Sequence, residues 1–262
     1  MEKEKCVIAT QTLYRSPGEA RAELAIQMFR AASEHGFHVV CSDGGSYEDF
    51  RDDTRDLGVE LLDESESGMG PGRRQAIKRA MEVVGPGGAV CFIEPEKGPL
   101  VKHLNSCFEL ISKGADIVVP RRSRQSWKTY PRLQRLSEPF GNYSLEMAVG
   151  RKDLDIFFGA RVFNVQAGGL FLERRPDIPG ENSWGTTLYP VIDAIHRGLK
   201  VVSVIVDYLH PPEQAATENN LSFYTRRLAQ ITELATGTFI YAMKLGLIQK
   251  ESVLIDHCQK SV

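Results

Sequence analysis

Hydrophobic and polar positions follow two rhythms along the chain. Short runs at residues 6–10, 37–41, 59–62, 89–93 and 115–120 are largely apolar, and between them the apolar residues recur every three or four positions. The runs predict strands buried on both faces; the intervening stretches predict amphipathic helices. In the first helical stretch Leu24, Ala25, Met28, Phe29 and Ala32 share a face, with a capping box at Ser16-Pro17-Gly18-Glu19 and a stop at Gly36. A very acidic helix runs to about residue 57. A Gly-rich loop at 68–72 precedes a helix over 73–84, and another helix is expected over 100–112. Strands alternating with helices of this length predict an α/β fold, a Rossmann-like and mostly parallel sheet with helices on both faces.

Beyond residue 120 the pattern changes. Residues 117–137 contain no acidic side chain, while Arg121, Arg122, Arg124, Lys128, Arg132 and Arg135 occur with Trp127 and Tyr130 between them. Residues 168–172 read as a strand, those near 187–197 as a helix, 200–207 as a strand, and 220 to about 248 as mostly helical. No internal repeat or linker interrupts the chain. One domain is therefore expected, residues 1–217, with residues 218–262 as its C-terminal helical extension.

Composition narrows the class without choosing a function. The 262 residues are 42% hydrophobic and 25% charged, with 32 basic and 34 acidic residues and a net charge of −2. That balance disfavours nucleic acid as a partner. No apolar stretch approaches the ~18 residues of a membrane span; residues 235–248 come nearest and contain Lys244. Five scattered cysteines, Cys6, Cys41, Cys91, Cys107 and Cys258, form no CxxC pair and read as buried thiols. The N-terminus leaves no room for a signal peptide, so a cytoplasmic location is expected. The C-terminal helices could pack back or pair with a second copy as a homodimer.

In parallel sheets ligands bind beyond the carboxyl ends of the strands, so the polar residues there are the candidates for chemistry. Asp43-Gly44-Gly45-Ser46 either holds a planar base through Asp43 or is a turn whose Ser46 caps the next helix. The Gly-rich loop with Arg73 and Arg74 suits a pyrophosphate at a helix N-terminus, although it lacks the P-loop Lys-Ser/Thr, and a plain loop accounts for it equally well. Glu94-Pro95-Glu96 follows the most apolar strand. It reads either as a pair of oxygen ligands for Mg²⁺ or Mn²⁺ or as a solvated loop paired with Lys97. His210 ends another strand and is either structural or a ligand in the same crevice as Glu96. The arginine-rich segment fits a loop that neutralises a small phosphorylated or carboxylated molecule, or a solvated loop.

In this order the pieces resemble the nucleotide-sugar glycosyltransferases of A-type fold, over roughly residues 5–212. "CVIAT" resembles the family's first strand, "VVCSDGGSYEDF" its base-binding Asp and following helix, and "GMGPGRRQAIKRAM" the segment before the pyrophosphate site. "AVCFIEPEKGPL" occupies the place of the Asp-x-Asp strand, "GLFLERR" is similar to an acceptor-side strand, and "WGTTLYPVIDAIHRGLKVVSVIVDYLHP" to the segment ending in a metal-binding His. The branch making glucosyl-phosphoglycerate, mannosylglycerate and polyprenyl-phosphate sugars is the most similar. The resemblance implies sugar transfer from a nucleotide-diphosphate donor to a small anionic acceptor, with Mn²⁺ or Mg²⁺. It places Thr10, Gln11, Asp43, Gly70, Arg73, Arg74 and Glu94 on the nucleotide and Glu96 and His210 on the metal. Arg121, Arg122, Gly169 and Trp184 fall on the acceptor side.

Two departures bear on chemistry. Asp-x-Asp has become Glu-Pro-Glu, and Gly185-Thr186-Thr187 carries only threonines where this branch has an acidic residue. Glu181 and Asp193 are the carboxylates nearby, and an inverting transferase needs a general base. Either the base lies elsewhere, the transfer retains configuration, or the protein keeps the fold only to bind a ligand or partner. A sugar-phosphate nucleotidyltransferase ranks last, because residues 10–16 lack the Gly-rich loop that class carries after its first strand.

Overall fold

A computed structural model describes residues 5–248. Among them seven strands form one sheet: β1 (Cys6–Thr12), β2 (His38–Asp43), β3 (Glu60–Asp63), β4 (Ala89–Phe92), β5 (Ile117–Arg122), β6 (Arg161–Asn164) and β7 (Val201–Val206). Their order is β3-β2-β1-β4-β6-β5-β7, and β6 alone runs antiparallel to its neighbours. The helices are α1 (Ala20–Glu34), α2 (Glu48–Asp56), α3 (Met69–Val84), α4 (Leu104–Ser112), α5 (Arg124–Thr129), α6 (Arg132–Val149), α7 (Val165–Leu172), α8 (Gly185–His196), α9 (Pro212–Thr217) and α10 (Leu221–Lys244).

The period of two along each strand creates two cores. Cys6, Ile8, Val39, Cys41 and Cys91 face α1 and α4, where they meet Met28, Phe29, Leu104 and Phe108. Val7, Ala9, Val40, Val90 and Phe92 face α3, α7 and α8, where they meet Ile77, Phe171 and Ile192. Covering both faces removes the apolar strands from water, roughly 1.5–3 kcal/mol for each large side chain. Cys6, Cys41, Cys91 and Cys107 are buried in this packing, and burial pushes the Cys41 and Cys107 thiols up to about 12. Cys258 lies outside the described residues. No described helix is long and apolar enough to cross a membrane.

Four local expectations are corrected. Residues 168–172 are helical, inside α7, whose first turn is capped by the Asn164 side chain accepting from Ala167 N–H at 2.7 Å. The strand of this region is β6, just upstream. Glu19 does reach back, accepting from the Ser16 N–H at 3.0 Å, but α1 starts only at Ala20 because Gly18 turns the chain at φ +87°. The Gly-rich segment is largely helix: α3 begins at Met69. Its glycines answer to packing, since a Cβ on Gly70 would lie 2.8 Å from Asn182 and one on Gly72 2.3 Å from Gln11. The arginine-rich segment is not a loop but the end of β5 followed by α5 and the start of α6. Finally, α10 packs back against α6 and α8.

Candidate active site

The parallel strands β1, β4 and β7 end on one side of the sheet, and a crevice of two lobes opens there. The lobes, about 400 and 350 Å³, share Arg21, Met69, Glu94, Glu96 and Trp184.

The first lobe lies against the ends of β1 and β3 and the start of α3. The Gln11 amide donates to Glu64 Oε1 at 2.5 Å and to the Gly68 carbonyl at 3.2 Å, which holds both side chains at the lobe wall. Arg73 is buried beneath it, donating to the Ser183 carbonyl and to Thr186 Oγ1, both at 3.1 Å, and lying 4.6 Å from the Trp184 ring. Burial lowers its pKa to about 10, against the pull of Glu94 and Glu96, so the guanidinium stays charged at neutral pH.

Asp43 is not part of this wall. Its carboxylate is 1% exposed and accepts from Thr12 Oγ1 at 2.8 Å, Ser46 Oγ at 2.5 Å and the N–H groups of Gly45 and Ser46. It shapes the turn after β2, and the neighbouring strand end supplies Glu64 to the lobe instead. Thr10 is likewise buried, donating to the Ile93 carbonyl at 2.8 Å. Gly70 belongs to the packing of α3, its N–H committed to the Asn182 carbonyl at 3.0 Å. Arg74 donates to Glu181 at 2.7 Å and Asn182 at 2.6 Å, away from the crevice lining.

At the joint of the lobes Glu94 pairs with Lys97 at 2.8 Å. Burial disfavours the Glu94 carboxylate, but Lys97 and Arg73 override it and hold its pKa below the ordinary value; Glu94 does the reverse for the buried Lys97 ammonium. Gly159, at φ +87°, makes room: a Cβ there would lie 2.4 Å from Glu94 Oε1. Glu96 is 5% exposed, 2.8 Å from Arg21 Nε and within 3.4 Å of the Tyr14 hydroxyl.

The second lobe is bounded by α6, α9 and α10. His210 is 4% exposed, stacks on Tyr130 at 4.3 Å, and its Nε2 lies 2.9 Å from Glu218. Burial lowers its pKa despite Glu218, favouring neutral imidazole, and Nδ1 is left buried without a partner. Glu96 and His210 both line this lobe, as the sequence implied. Arg122 is sandwiched beneath Trp127 and donates to Asp155 at 2.7 Å and Glu138 at 2.5 Å. Arg227 also donates to Glu138, and Arg226 completes the basic wall.

Several expected acceptor-side groups lie elsewhere. Arg121 alternates with Arg122 along β5 and so lines an outer cavity of about 340 Å³. Gly169 is exposed on α7. Trp184 does stand at the joint. Neither candidate base reaches the crevice lining: Glu181 is held by Arg74, and Asp193, 1% exposed, by Arg175 and the Tyr241 hydroxyl. Arg21, Glu138, Arg226 and Arg227 sit on helices and Glu218 just past the end of α9, where the sequence pattern does not mark them; Lys97 was legible only as a partner of the acidic pair.

No protein-family model and no curated protein matches the sequence. Solved structures do match. The glucosyl-3-phosphoglycerate synthase of Mycobacterium tuberculosis is 14% identical, with a TM-score of 0.59 over 89% of this chain and 80% of the synthase. A mycobacterial protein is also 14% identical, with a TM-score of 0.61 over 88% of this chain and 74% of the other. The same synthase in complex with Mn²⁺, UDP-glucose and phosphoglyceric acid is 13% identical, with a TM-score of 0.56 over 88% of this chain and 79% of the synthase. The chain thus shares the glycosyltransferase A-type fold of that synthase.

Proposed function

We propose that the protein is a glycosyltransferase that moves a sugar from a nucleoside-diphosphate donor to a small anionic acceptor, with Mn²⁺ or Mg²⁺ bound. One observation carries the reading: a two-lobed crevice at the strand ends, with Glu94, Glu96 and Arg73 around the joint and a basic wall in the second lobe. The first lobe is suited to a nucleoside, with Gln11 and Glu64 as hydrogen-bonding groups on its wall. Arg73 meets the diphosphate, and Lys97, Arg226 and Arg227 attract an anionic acceptor. The synthase of the same fold is known with UDP-glucose, Mn²⁺ and phosphoglyceric acid, which supports the classes of donor, metal and acceptor proposed.

The residues present fit a divalent cation. Among the described residues no three His, Cys, Asp or Glu side chains form a ready-made site, but a cation completed by diphosphate oxygens needs only one or two protein ligands. Glu96 and the bare Nδ1 of His210 supply an oxygen and a nitrogen, and Glu218 orients the imidazole from its other side. When bound, the cation supplies Lewis-acid stabilisation of the charge on the departing diphosphate.

The chain's own residues do the rest. Arg73 adds fixed positive charge beneath the leaving group, and the lobe walls hold the acceptor on the same face of the sugar as the diphosphate. Glu94, Glu96, Glu138 and Glu218 are each already engaged by a cation or by His210. With Glu181 and Asp193 also withdrawn, the departing diphosphate oxygen is the available base. The bond from the anomeric carbon to that oxygen breaks, the acceptor oxygen bonds to the same carbon on the same face, and the acceptor proton passes to the diphosphate. Anomeric configuration is retained.

The test is thermal unfolding with UDP-, GDP- and ADP-sugars, with and without Mn²⁺. A donor at a hundred times its Kd adds about 2.7 kcal/mol and raises Tm by about 5–10 °C. Absence of any shift with every donor, metal present, defeats the proposal. Binding without turnover for any phosphorylated or carboxylated acceptor leaves a ligand-binding protein on a transferase fold.

A further inference from the structure

The outer side of α5 and α6 has no part in the crevice and carries an unusual surface. Leu136, Phe140, Tyr143 and Met147 recur at intervals of four, three and four residues, so they form one stripe on α6. They are 66%, 58%, 54% and 54% exposed. Arg132 and Arg135 precede the stripe on α6, Arg124 and Lys128 lie on α5 and Arg121 at the end of β5; all are exposed, and none has an ion-pair partner among the described residues. Arg121 and Trp127 share the outer cavity with Pro139 and Tyr143, which makes the basic and apolar parts continuous. Glu146, the stripe's own carboxylate, is held by Lys152 at 3.4 Å.

We infer that this face docks the protein on an anionic lipid surface. The apolar stripe requires hydrocarbon and the five cations require anions beside it; the headgroup and acyl boundary of an anionic leaflet offers both. A nucleic acid answers the cations but leaves Leu136, Phe140 and Met147 in water. A second copy of the same face covers the stripe but brings no unpaired carboxylate to the arginines. The opposite side of α6 carries Gln134 and Glu138 into the crevice, so docking holds the active-site candidate one helix diameter from the lipid surface.

The test is flotation of the full chain with vesicles of phosphatidylcholine containing about 30% phosphatidylglycerol, and with phosphatidylcholine alone, at about 0.1 M salt. Binding is expected to the anionic vesicles only. Arg132→Gln with Arg135→Gln weakens it about thirty-fold. Phe140→Ser with Met147→Ser removes the part of the binding that survives raised salt, and both double variants keep the wild-type Tm because the altered side chains are exposed. The inference is overturned if anionic vesicles are not bound, or if both double variants bind as the wild type does. It is also overturned if the Phe140/Met147 variant loses only a concentration-dependent self-association. The same holds if single-stranded RNA is bound with this dependence on Arg132 and Arg135 while vesicles are not.

Discussion

The Lys97 ammonium lies 2.8 Å from the Glu94 carboxylate, with both side chains almost enclosed where the lobes of the crevice meet. Removing one partner of such a pair leaves the other charge buried and uncompensated, a loss of about 3 kcal/mol or more. Lys97→Met is therefore expected to lower the urea midpoint strongly, and Lys97→Met with Glu94→Gln to recover part of the loss. Equal destabilisation by the single and double variants would show that the pair is not coupled. The pH dependence has a definite sign. Glu94 is held below its ordinary pKa of 4.5, so its contribution is present above that pH and lost as pH falls through the lower, folded value. Lys97 is held above 10.5, so its contribution is present below that pH and lost only in strong alkali.

Glu64 and Asp43 end neighbouring strands and have opposite fates. Glu64 stands at the wall of the first lobe with Gln11, and Asp43 is buried under three donors of its own turn and the Thr12 hydroxyl of β1. Glu64→Gln is expected to leave Tm unchanged and weaken nucleotide binding about tenfold, the loss of a charge-assisted hydrogen bond. Asp43→Ala is expected to lower Tm by roughly 5–10 °C through buried donors left unpaired. Calorimetric titration with a nucleoside diphosphate, alongside thermal melts, separates the two. The reverse pattern would return the base-holding role to Asp43.

How far the sequence was legible follows from these residues. The strands β1, β2 and β4 were visible because both of their faces are buried, which leaves nearly uninterrupted apolar runs; β7, at the sheet edge and half-exposed, was visible from its run of β-branched residues. β6 was not: Arg161 opens it, buried and donating to the carbonyls of Ala160, Ile156 and Thr187, and a buried arginine reads as a surface residue in sequence. α7 was taken for a strand because Gly168–Leu172 is apolar all round, a pattern that short buried helices and strands share. Glu96, His210, Arg73 and Trp184 were found because strand ends and segments of familiar order point to them. Glu218, Arg226 and Arg227 come from α9, α10 and their junction, where a helical pattern says nothing of which turn meets the crevice. Asp43 illustrates the opposite failure: a strand-end carboxylate followed by glycines looks alike whether it holds a ligand or its own turn.

Glu218 offers a check on metal binding that does not depend on turnover. It lies 2.9 Å from His210 Nε2 and itself accepts from Gln214 at 2.9 Å, so it fixes the imidazole from behind. Glu218→Gln is expected to weaken the Mn²⁺-dependent part of the thermal shift with a nucleoside diphosphate about 10–100-fold in metal concentration. Glu96→Ala is expected to abolish it, leaving the metal-free shift. A Mn²⁺ response identical in wild type and both variants would place the cation elsewhere.

The stereochemistry of the product tests the reading of the carboxylates. Inversion needs a side chain able to take the acceptor proton from the face opposite the leaving group. Glu181 is consumed by Arg74 and Asp193 by Arg175 and Tyr241, and neither lines the crevice. The four carboxylates that do line the second lobe are engaged by Lys97, Arg21, Arg122 with Arg227, and His210. An α-linked donor is accordingly expected to give an α-linked product, read from the anomeric coupling constant in proton NMR. Asp193→Asn is expected to cost stability, through the buried Arg175, without a specific loss of kcat in the folded fraction. A β-linked product, with activity lost in a folded Asp193 or Glu181 variant, would mean that one of these carboxylates leaves its arginine and reaches the acceptor during turnover.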